Sequence, residues 1–244
     1  MPYYSGEERP TAEQPPARVL VVMAHPDDAD FTAAGTVALW AGQGAACVYL
    51  LCTDGNKGSD DPAMTPERLA PIRRAEQRAA LARLGGQDVW FLGYEDGVLE
   101  PTLALRRDVA RAICRFRPEV VICQDPTTYF FGSEYVNHPD HRAAGEAALG
   151  AVFPAARNRL IFPELFRDGL EPWAVPAIYL AASREADTWV DVTTTFEQKL
   201  AALAEHKSQF GIEQVEPFVR GWAAETGKAL GVPYAEAFRV LRPR

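Results

Sequence analysis

The sequence has few cysteines and no cysteine motif. Its 244 residues contain four cysteines, which lie in apolar stretches and form no CxxC pair: Cys47, Cys52, Cys114 and Cys123. This pattern predicts free, buried thiols in a reducing compartment, and it disfavours a cysteine zinc site. We therefore expect a cytoplasmic protein.

Three further features are missing: a basic cluster, a long apolar run and a signal segment. The chain carries 25 Lys and Arg against 33 Asp and Glu, a net charge of −8, so we expect no nucleic-acid partner. No apolar run reaches the ~18–20 residues that cross a bilayer, so no membrane association is expected. Residues 1–17 are polar, contain four prolines and have no apolar signal core. We expect them to form a flexible leader before a single domain at 18–244.

Strands and helices are predicted to alternate from Arg18 onwards. The predicted strands are 18–24, 46–52, 88–94, 119–125, 177–183, 187–193 and 236–242. The predicted helices are 32–42, 66–86, 103–118, 138–157, 196–210 and 217–231. The early strands are apolar throughout, which is typical of a parallel sheet covered on both faces. The sequence therefore predicts an α/β, doubly wound, mostly parallel sheet of order 3-2-1-4-5, with additional strands from the C-terminal part.

Three of the four histidines lie in two short motifs that follow strands. These are AHPDD at 24–28, after the first strand, and NHPDH at 137–141, after the fourth. In a sheet of this order, strands 1 and 4 are neighbours at the switch point where ligands bind. The motifs are therefore expected to meet in one crevice. The first turn has an imidazole and carboxylates in place of GxGxxG, which indicates a cation site instead of a dinucleotide.

The residue types fit a catalytic zinc site with three protein ligands. His25 and Asp28 are three residues apart and can share one face of a helix entrance, and His141 would be the third ligand. The spacing alone lets Asp27 and Asp28 exchange roles. Two histidines and a carboxylate also describe an Fe(II) site, so the sequence leaves the ion open.

The remaining polar residues of the motifs are suited to acid–base chemistry. Asp27 would lie beside a metal-bound water, the position of a general base. His138 could stabilise a developing oxyanion, and Asp140 could hold that histidine in one orientation.

With these residues, the chain resembles the PIG-L / LmbE-like family of zinc-dependent N-deacetylases, which carries AHPDD after the first strand and HPDH after the fourth. The similarity covers roughly residues 18–210. Its weaker matches are Thr53-Asp54-Gly55, an RxxE…A…LG helix from Arg73 and Glu76 to Leu84-Gly85, and Lys199 followed by His206-Lys207-Ser208-Gln209. One departure is Val136, which stands where some members have a mobile tyrosine.

The resemblance implies a function and a role for each motif residue. It implies a Rossmann-like fold and removal of the N-acetyl group from a glucosamine unit, often within a larger glycoside, with acetate and a free amine as products. It assigns zinc to His25, Asp28 and His141, and the general base to Asp27. It makes His138 the electrostatic catalyst or acid, with Asp140 behind it. Many bacterial members are homo-oligomers, often trimers or hexamers.

Three other residues are candidate substrate contacts, each with a structural alternative. Arg73 could bind sugar hydroxyls or a carboxylate, or form a salt bridge. Asp54 could accept a sugar hydrogen bond, or form an Asx-turn. Asn137 could contact substrate, or cap the next helix. His206 fits a helix C-terminus without any functional role.

Two other functions fit the same motifs. A metal-dependent phosphoesterase would need a second ion ~3.5–4 Å from the first and further carboxylates, for which Asp30 and Asp54 are available. A non-enzymatic, metal-dependent sugar-binding protein would use the metal ligands but would have no need for Asp27 as a base.

Overall fold

A seven-stranded sheet runs through the computed structural model, which describes residues 15–243. Its strands are β1 (Arg18–Met23), β2 (Ala46–Thr53), β3 (Asp88–Tyr94), β4 (Val120–Gln124), β7 (Ala177–Ala181), β8 (Thr188–Asp191) and β9 (Ala235–Leu241). Their order is β3-β2-β1-β4-β7-β9-β8. The first five positions pair in parallel, whereas β9 is antiparallel to both of its neighbours. The predicted 3-2-1-4-5 order with additional C-terminal strands is confirmed, with β7 as the fifth strand.

Helices cover both faces of the sheet, which explains why the early strands are apolar throughout. The helices are α1 (Asp28–Thr32), α2 (Ala34–Gly42), α3 (Pro66–Arg83), α4 (Leu103–Phe116), α5 (Pro139–Val152), α6 (Pro163–Arg167), α7 (Phe196–Leu203) and α8 (Ile212–Gly227). One core lies between the sheet and α1, α2, α3, α7 and α8, and the other lies under α4, α5 and α6. Within residues 15–243, no helix combines the length and apolar character that a membrane span requires.

Several boundaries differ from the sequence prediction. The predicted helix 138–157 stops at Val152, shortly before Pro154, which cannot donate a helical hydrogen bond. The predicted loop 126–137 contains a two-stranded ribbon of β5 (Phe130–Phe131) and β6 (Tyr135–Val136). Residues 1–14 of the predicted leader lie outside the described residues.

The topology brings the two histidine motifs to one edge of the sheet. Strands β1 and β4 are paired neighbours, with Val22 opposite Cys123 near their carboxyl ends. The turn after β1 and the loop after β4 therefore begin side by side. This is the switch point at which ligands bind in open α/β sheets.

Candidate metal centre and active site

A cavity of about 620 Å³ opens at this switch point. Most of the predicted motif residues line it: His25, Asp27, Asp28, Asn137, His138 and His141. The ring centre of His25 lies 5.0 Å from that of His138 and 5.3 Å from that of His141. The structure thus brings the two distant motifs together.

Asp28 lies against two of the three imidazoles. One of its carboxylate oxygens is 3.1 Å from His141 Nε2, and the other is 3.5 Å from His25 Nδ1. Its position is fixed because the backbone N–H of His25 donates to the same carboxylate at 2.8 Å. Burial opposes the charge of Asp28, but the rings of His141 and His25 hold its pKa well below the ordinary value. These three side chains form one cluster of nitrogen and oxygen donors.

Two further carboxylates lie on the opposite side of His25. Its Nε2 is 3.1 Å from Asp96 and 3.2 Å from Asp140. Burial would lower the pKa of His25, but the surrounding carboxylates more than offset it, so the pKa lies well above the ordinary value. Histidines that bind metals commonly give their other N–H to a carboxylate in this way. Asp96 was not predicted, although its place just after β3, at the same sheet edge, is a signal.

This donor set fits a divalent cation. Imidazole nitrogens and carboxylate oxygens are the ligands that zinc and Fe(II) take. Ligand atoms of His25, His138 and His141 all lie within 4.8 Å of one another, and so do those of His25, Asp96 and Asp140. The carboxylates concentrate negative charge around one imidazole, and a bound cation would balance it.

Asp140 has a different partner from the one expected. Its carboxylate bonds to His25 and accepts the backbone N–H groups of Gly97 and Leu99, and it lies 3.8 Å from His138 Nδ1. Its own backbone N–H donates to that nitrogen at 3.1 Å. Because Nδ1 of His138 accepts a hydrogen bond, the proton of the neutral ring lies on Nε2. Burial, and then the neighbouring His25, hold the pKa of His138 below its ordinary value.

Asp27 has a strained backbone, with φ at 86° in the left-handed region. Such a conformation costs a non-glycine residue on the order of 1–3 kcal/mol and commonly marks a functional site. Two residues of α3 hold it: Gln77 Oε1 accepts its backbone N–H at 2.8 Å, and Arg73 donates to its carboxylate at 2.9 Å. Burial raises the pKa of Asp27 to about 6, although the Arg73 guanidinium opposes this shift.

Arg73 is buried, and its two terminal nitrogens bond to the turns after β1 and β2. Its side chain is 5 % exposed, and it donates to the carbonyls of Pro26 and Gly55 at 2.6 and 2.7 Å. A Cβ on Gly55 would lie 2.1 Å from the guanidinium. The glycine of the Thr53-Asp54-Gly55 segment therefore leaves room for an arginine that fixes the position of Asp27.

A buried network extends from Gln77 away from the cavity. Gln77 donates to Asp30 at 2.7 Å, and His206 Nε2 lies 2.8 Å from the same carboxylate. Burial would lower the pKa of His206, but Asp30 raises it above the ordinary value. His206 is fully buried. Its role is therefore structural, but it acts through the contact with Asp30 and not at the end of a helix, where the sequence placed it. Neither Asp30 nor Asp54 lines the cavity, and Asp54 pairs with Arg74 at 2.6 Å.

Asn137 orients a predicted ligand. Its Oδ1 is 3.0 Å from His141 Nδ1, and its amide nitrogen donates to the Thr128 carbonyl at 2.7 Å. The predicted cap position belongs instead to His138, whose ring accepts the backbone N–H of Asp140.

The chain is similar to several known deacetylases. It is 32% identical over 227 residues to the diacetylchitobiose deacetylase of Thermococcus kodakarensis, covering 92% of this chain and 83% of that protein. It is 33% identical to the 1D-myo-inositol 2-acetamido-2-deoxy-alpha-D-glucopyranoside deacetylase 2 of Saccharopolyspora erythraea, covering 82% and 72%. The structure of N,N'-diacetylchitobiose deacetylase from Pyrococcus horikoshii superimposes with a TM-score of 0.87 at 31% identity, covering 93% of this chain and 84% of that one.

The family match agrees with the motifs. Residues 20–152 match PIG-L, described as GlcNAc-PI de-N-acetylase, and this segment includes both histidine motifs. The predicted family and the predicted enzyme class, a deacetylase, are confirmed. The chain belongs to the PIG-L family of de-N-acetylases.

Proposed function

We propose that the protein is a zinc-dependent hydrolase that removes the N-acetyl group from an N-acetylglucosamine-type sugar or its glycoside. The main support for this proposal is the position and conformation of Asp27. Its carboxylate lines the cavity next to the cation-binding cluster, yet Arg73 and Gln77 hold it in a strained conformation. A sugar-binding protein would gain nothing from such a residue, whereas a hydrolase needs a positioned base.

His25, Asp28 and His141 are the residues that would hold the zinc. Asp28 contacts both rings, while His138 uses Nδ1 for the helix cap and keeps its Nε2 proton for substrate. When bound, the ion polarises the amide carbonyl and lowers the pKa of a water from 15.7 towards ~7. Fe(II) suits the same donors, so metal analysis of protein purified without added metal decides between the two ions.

The chain's own residues carry out the proton transfers. Asp27 takes the proton of the attacking water and delivers it to the nitrogen of the departing amine, so acetate and a free amine result. The Nε2–H of His138 donates to the acetyl oxygen as that oxygen becomes negative. Asp140 and Asp96 keep His25 in place. One donor to a developing oxyanion is typically worth ~10²–10³ in turnover.

The substrate class follows from the relatives and from the size of the cavity. The named relatives act on acetylated amino sugars, and about 620 Å³ is within the range of small-molecule sites. Direct contact of Arg73, Asp54 or Asn137 with the sugar stays a prediction. In the structure these side chains hold Asp27, Arg74 and His141, respectively.

A phosphoesterase is less well supported. The two carboxylates that the sequence offered for a second ion are engaged elsewhere, since Asp30 bonds to His206 and Gln77, and Asp54 to Arg74. The deciding experiment incubates zinc-loaded protein with N-acetylglucosamine, N,N'-diacetylchitobiose and p-nitrophenyl phosphate, and measures acetate, phosphate and bound zinc. We expect acetate release with one zinc per chain. Phosphate release without acetate would refute the proposal.

Two further properties are part of the proposal. All four cysteines are free and buried, which supports a reducing, cytoplasmic compartment. Exposed apolar side chains at Phe153, Leu160 and Ile161 support the homo-oligomer, a trimer or hexamer, that the family resemblance implies. Light scattering on purified protein would measure its mass.

A further inference from the structure

The late segment, residues 206–209 with the sequence His-Lys-Ser-Gln, contacts the helix motif of α3. Both are weak matches to the family in the sequence, and the proposed reaction uses neither Glu76 nor Ser208. Ser208 donates twice to the Glu76 carboxylate, from its backbone N–H at 2.7 Å and from its hydroxyl at 2.6 Å. Two motifs that lie 132 positions apart in the chain therefore form one unit.

Glu76 lies between the two residues of α3 that hold the proposed base. Arg73, one turn before it, donates to the Asp27 carboxylate at 2.9 Å, and Gln77, directly after it, accepts the Asp27 backbone N–H at 2.8 Å. Arg73 and Gln77 are four residues apart, so they project from the same face of the helix. A shift or rotation of α3 would therefore move both supports of Asp27, and the two hydrogen bonds from Ser208 oppose such a movement.

His206 connects the late segment to the same helix at a second point. Its Nε2 lies 2.8 Å from the Asp30 carboxylate, which also accepts a hydrogen bond from Gln77 at 2.7 Å. His206 and Asp30 are both fully buried, and a hydrogen bond in such a low-dielectric interior is stronger than one in water. The late segment is therefore linked to Gln77 through Asp30, as well as to α3 through Glu76.

Gln209 connects the late segment to the wall of the cavity. Its Nε2 donates to the carbonyl of Gly58 at 3.1 Å, and Gly58 lines the cavity. A Cβ on Gly58 would lie 3.0 Å from Gln209 Oε1 and 3.0 Å from Arg73 Nη1. This glycine is therefore enclosed between the late segment and the arginine that pairs with Asp27.

We propose that Glu76 and Ser208 are positioning residues for Asp27. Their contact fixes α3, and α3 fixes the carboxylate and the backbone of Asp27 through Arg73 and Gln77. This inference rests on the proposed deacetylase function, in which Asp27 is the general base. The assigned zinc ligands lie in the turn after β1 and in α5, so loss of the contact leaves the metal in place. The expected kinetic signature is a lower kcat at nearly constant KM and zinc content.

The test compares this contact with another one between the same parts of the fold. Glu76→Ala removes both hydrogen bonds from Ser208, whereas Glu76→Gln keeps an acceptor for the backbone N–H and a donor for the hydroxyl oxygen. Arg83→Ala removes the 2.6 Å ion pair with Glu205, which also joins α3 to the residues after α7, but at the last residue of α3. Acetate release is measured with N-acetylglucosamine or N,N'-diacetylchitobiose, whichever the wild type hydrolyses faster. We expect Glu76→Ala to lower kcat ~10-fold with KM within ~2-fold, and the other two variants to keep both values.

Variants of Ser208 make the test independent of how Glu76→Ala folds. Ser208→Ala removes only the hydroxyl bond and should lower kcat by less, and Ser208→Thr should restore it. Combined with Glu76→Ala, Ser208→Ala should cause no further loss, because the two side chains act through one contact. Bound zinc and the melting temperature are measured for every variant.

The outcomes separate the inference from the proposed function. A wild-type kcat in Glu76→Ala and Ser208→Ala, a rise in KM alone, or a loss of zinc overturns the inference and leaves the deacetylase function intact. An equal loss of kcat in Arg83→Ala also overturns it, since any contact between α3 and the residues after α7 would then have the same effect. Acetate release from neither sugar by the wild type overturns the proposed function, and the inference with it.

Discussion

Asp27 and Asp28 are neighbours in the sequence, but their carboxylates have different partners. Asp28 contacts His25 and His141, whereas Asp27 bonds to Arg73. We expect Asp27→Asn to lower kcat by ~10²–10⁴, the range for loss of a general base, and to keep one zinc per chain. Asp28→Asn is the matched control and should lose zinc itself. Kinetics and metal analysis of the two variants would contradict the assignment if Asp27→Asn lost the metal and Asp28→Asn kept it.

Gln77 connects the strained base to the buried Asp30–His206 pair. It accepts the backbone N–H of Asp27 and donates to Asp30. Gln77→Met keeps the length of the side chain but leaves the backbone N–H of Asp27 unsatisfied, which costs ~1–3 kcal/mol for a buried polar group. Asp30 loses one hydrogen bond and keeps the one to His206. We expect a loss of this size in urea unfolding, and a lower kcat with KM near the wild-type value because the base loses its orientation.

The control for Gln77 is Gln198→Met, at an exposed position of α7. It should change neither stability nor kcat appreciably. A Gln77→Met protein that is destabilised but has the wild-type kcat would show that Gln77 supports the core without positioning Asp27.

At the scale of elements, a helix or strand could be predicted from the sequence when its pattern lies within its own residues. Strands β1, β2 and β4 are buried on both faces, so their apolar runs located them. Thr65 caps α3 by accepting the backbone N–H of Arg68, a contact that lies within the first turn of the helix. The β5–β6 ribbon was missed because its four strand residues have no repeating pattern. The end of α5 was overestimated because apolar residues continue beyond Val152.

Helix α5 is held close to β4 at Gly145. A Cβ there would lie 2.2 Å from the backbone oxygen of Gln124. Gly145→Ala must therefore displace the helix that carries His138 and His141, and overpacking of this kind costs ~1–3 kcal/mol. We expect a lower melting temperature and weaker zinc binding by competition with a chelator.

The matched control for Gly145 is Gly221, which also lies in a helix but has open space where a Cβ would be placed. A Cβ on Gly221, in α8, would meet nothing within 4 Å. Gly221→Ala should stabilise the protein by roughly 0.5–1 kcal/mol because alanine loses less conformational entropy in a helix. If Gly145→Ala behaved in the same way, close packing of α5 would not be what positions the histidines.

At the scale of the whole molecule, the predicted order of the strands did most to locate the site. Once β1 and β4 were expected to be neighbours, the two motifs had to meet, and the structure places them together. Contacts between side chains that lie on different helices, strands or loops could not be predicted from the sequence. Asp96, after β3, contacts His25, and Asp140 bonds to the same ring at 3.2 Å while it lies 3.8 Å from His138. Such pairings depend on loop paths and rotamers, which leave no periodic trace in the sequence.

The same topology predicts that zinc stabilises the entire fold. His25 and Asp28 follow β1 and His141 lies in α5, so the donors meet only when the sheet is assembled. An ion that binds only the native state adds about 2.7 kcal/mol at 100 times its Kd. For a chain of this size about 1 kcal/mol shifts Tm by ~2–4 °C, so zinc should raise Tm by roughly 5–10 °C.

Calorimetry of chelator-treated protein, with and without zinc, measures this shift. Asp28→Asn should abolish most of it, whereas Asp27→Asn should retain it because Asp27 is assigned to the proton and not to the ion. An equal shift in wild type and Asp28→Asn would mean that zinc binds elsewhere, for example at Asp96 and Asp140 on the far side of His25. Because the shift depends on native-state binding alone, it tests the ligand set even before a substrate has been identified.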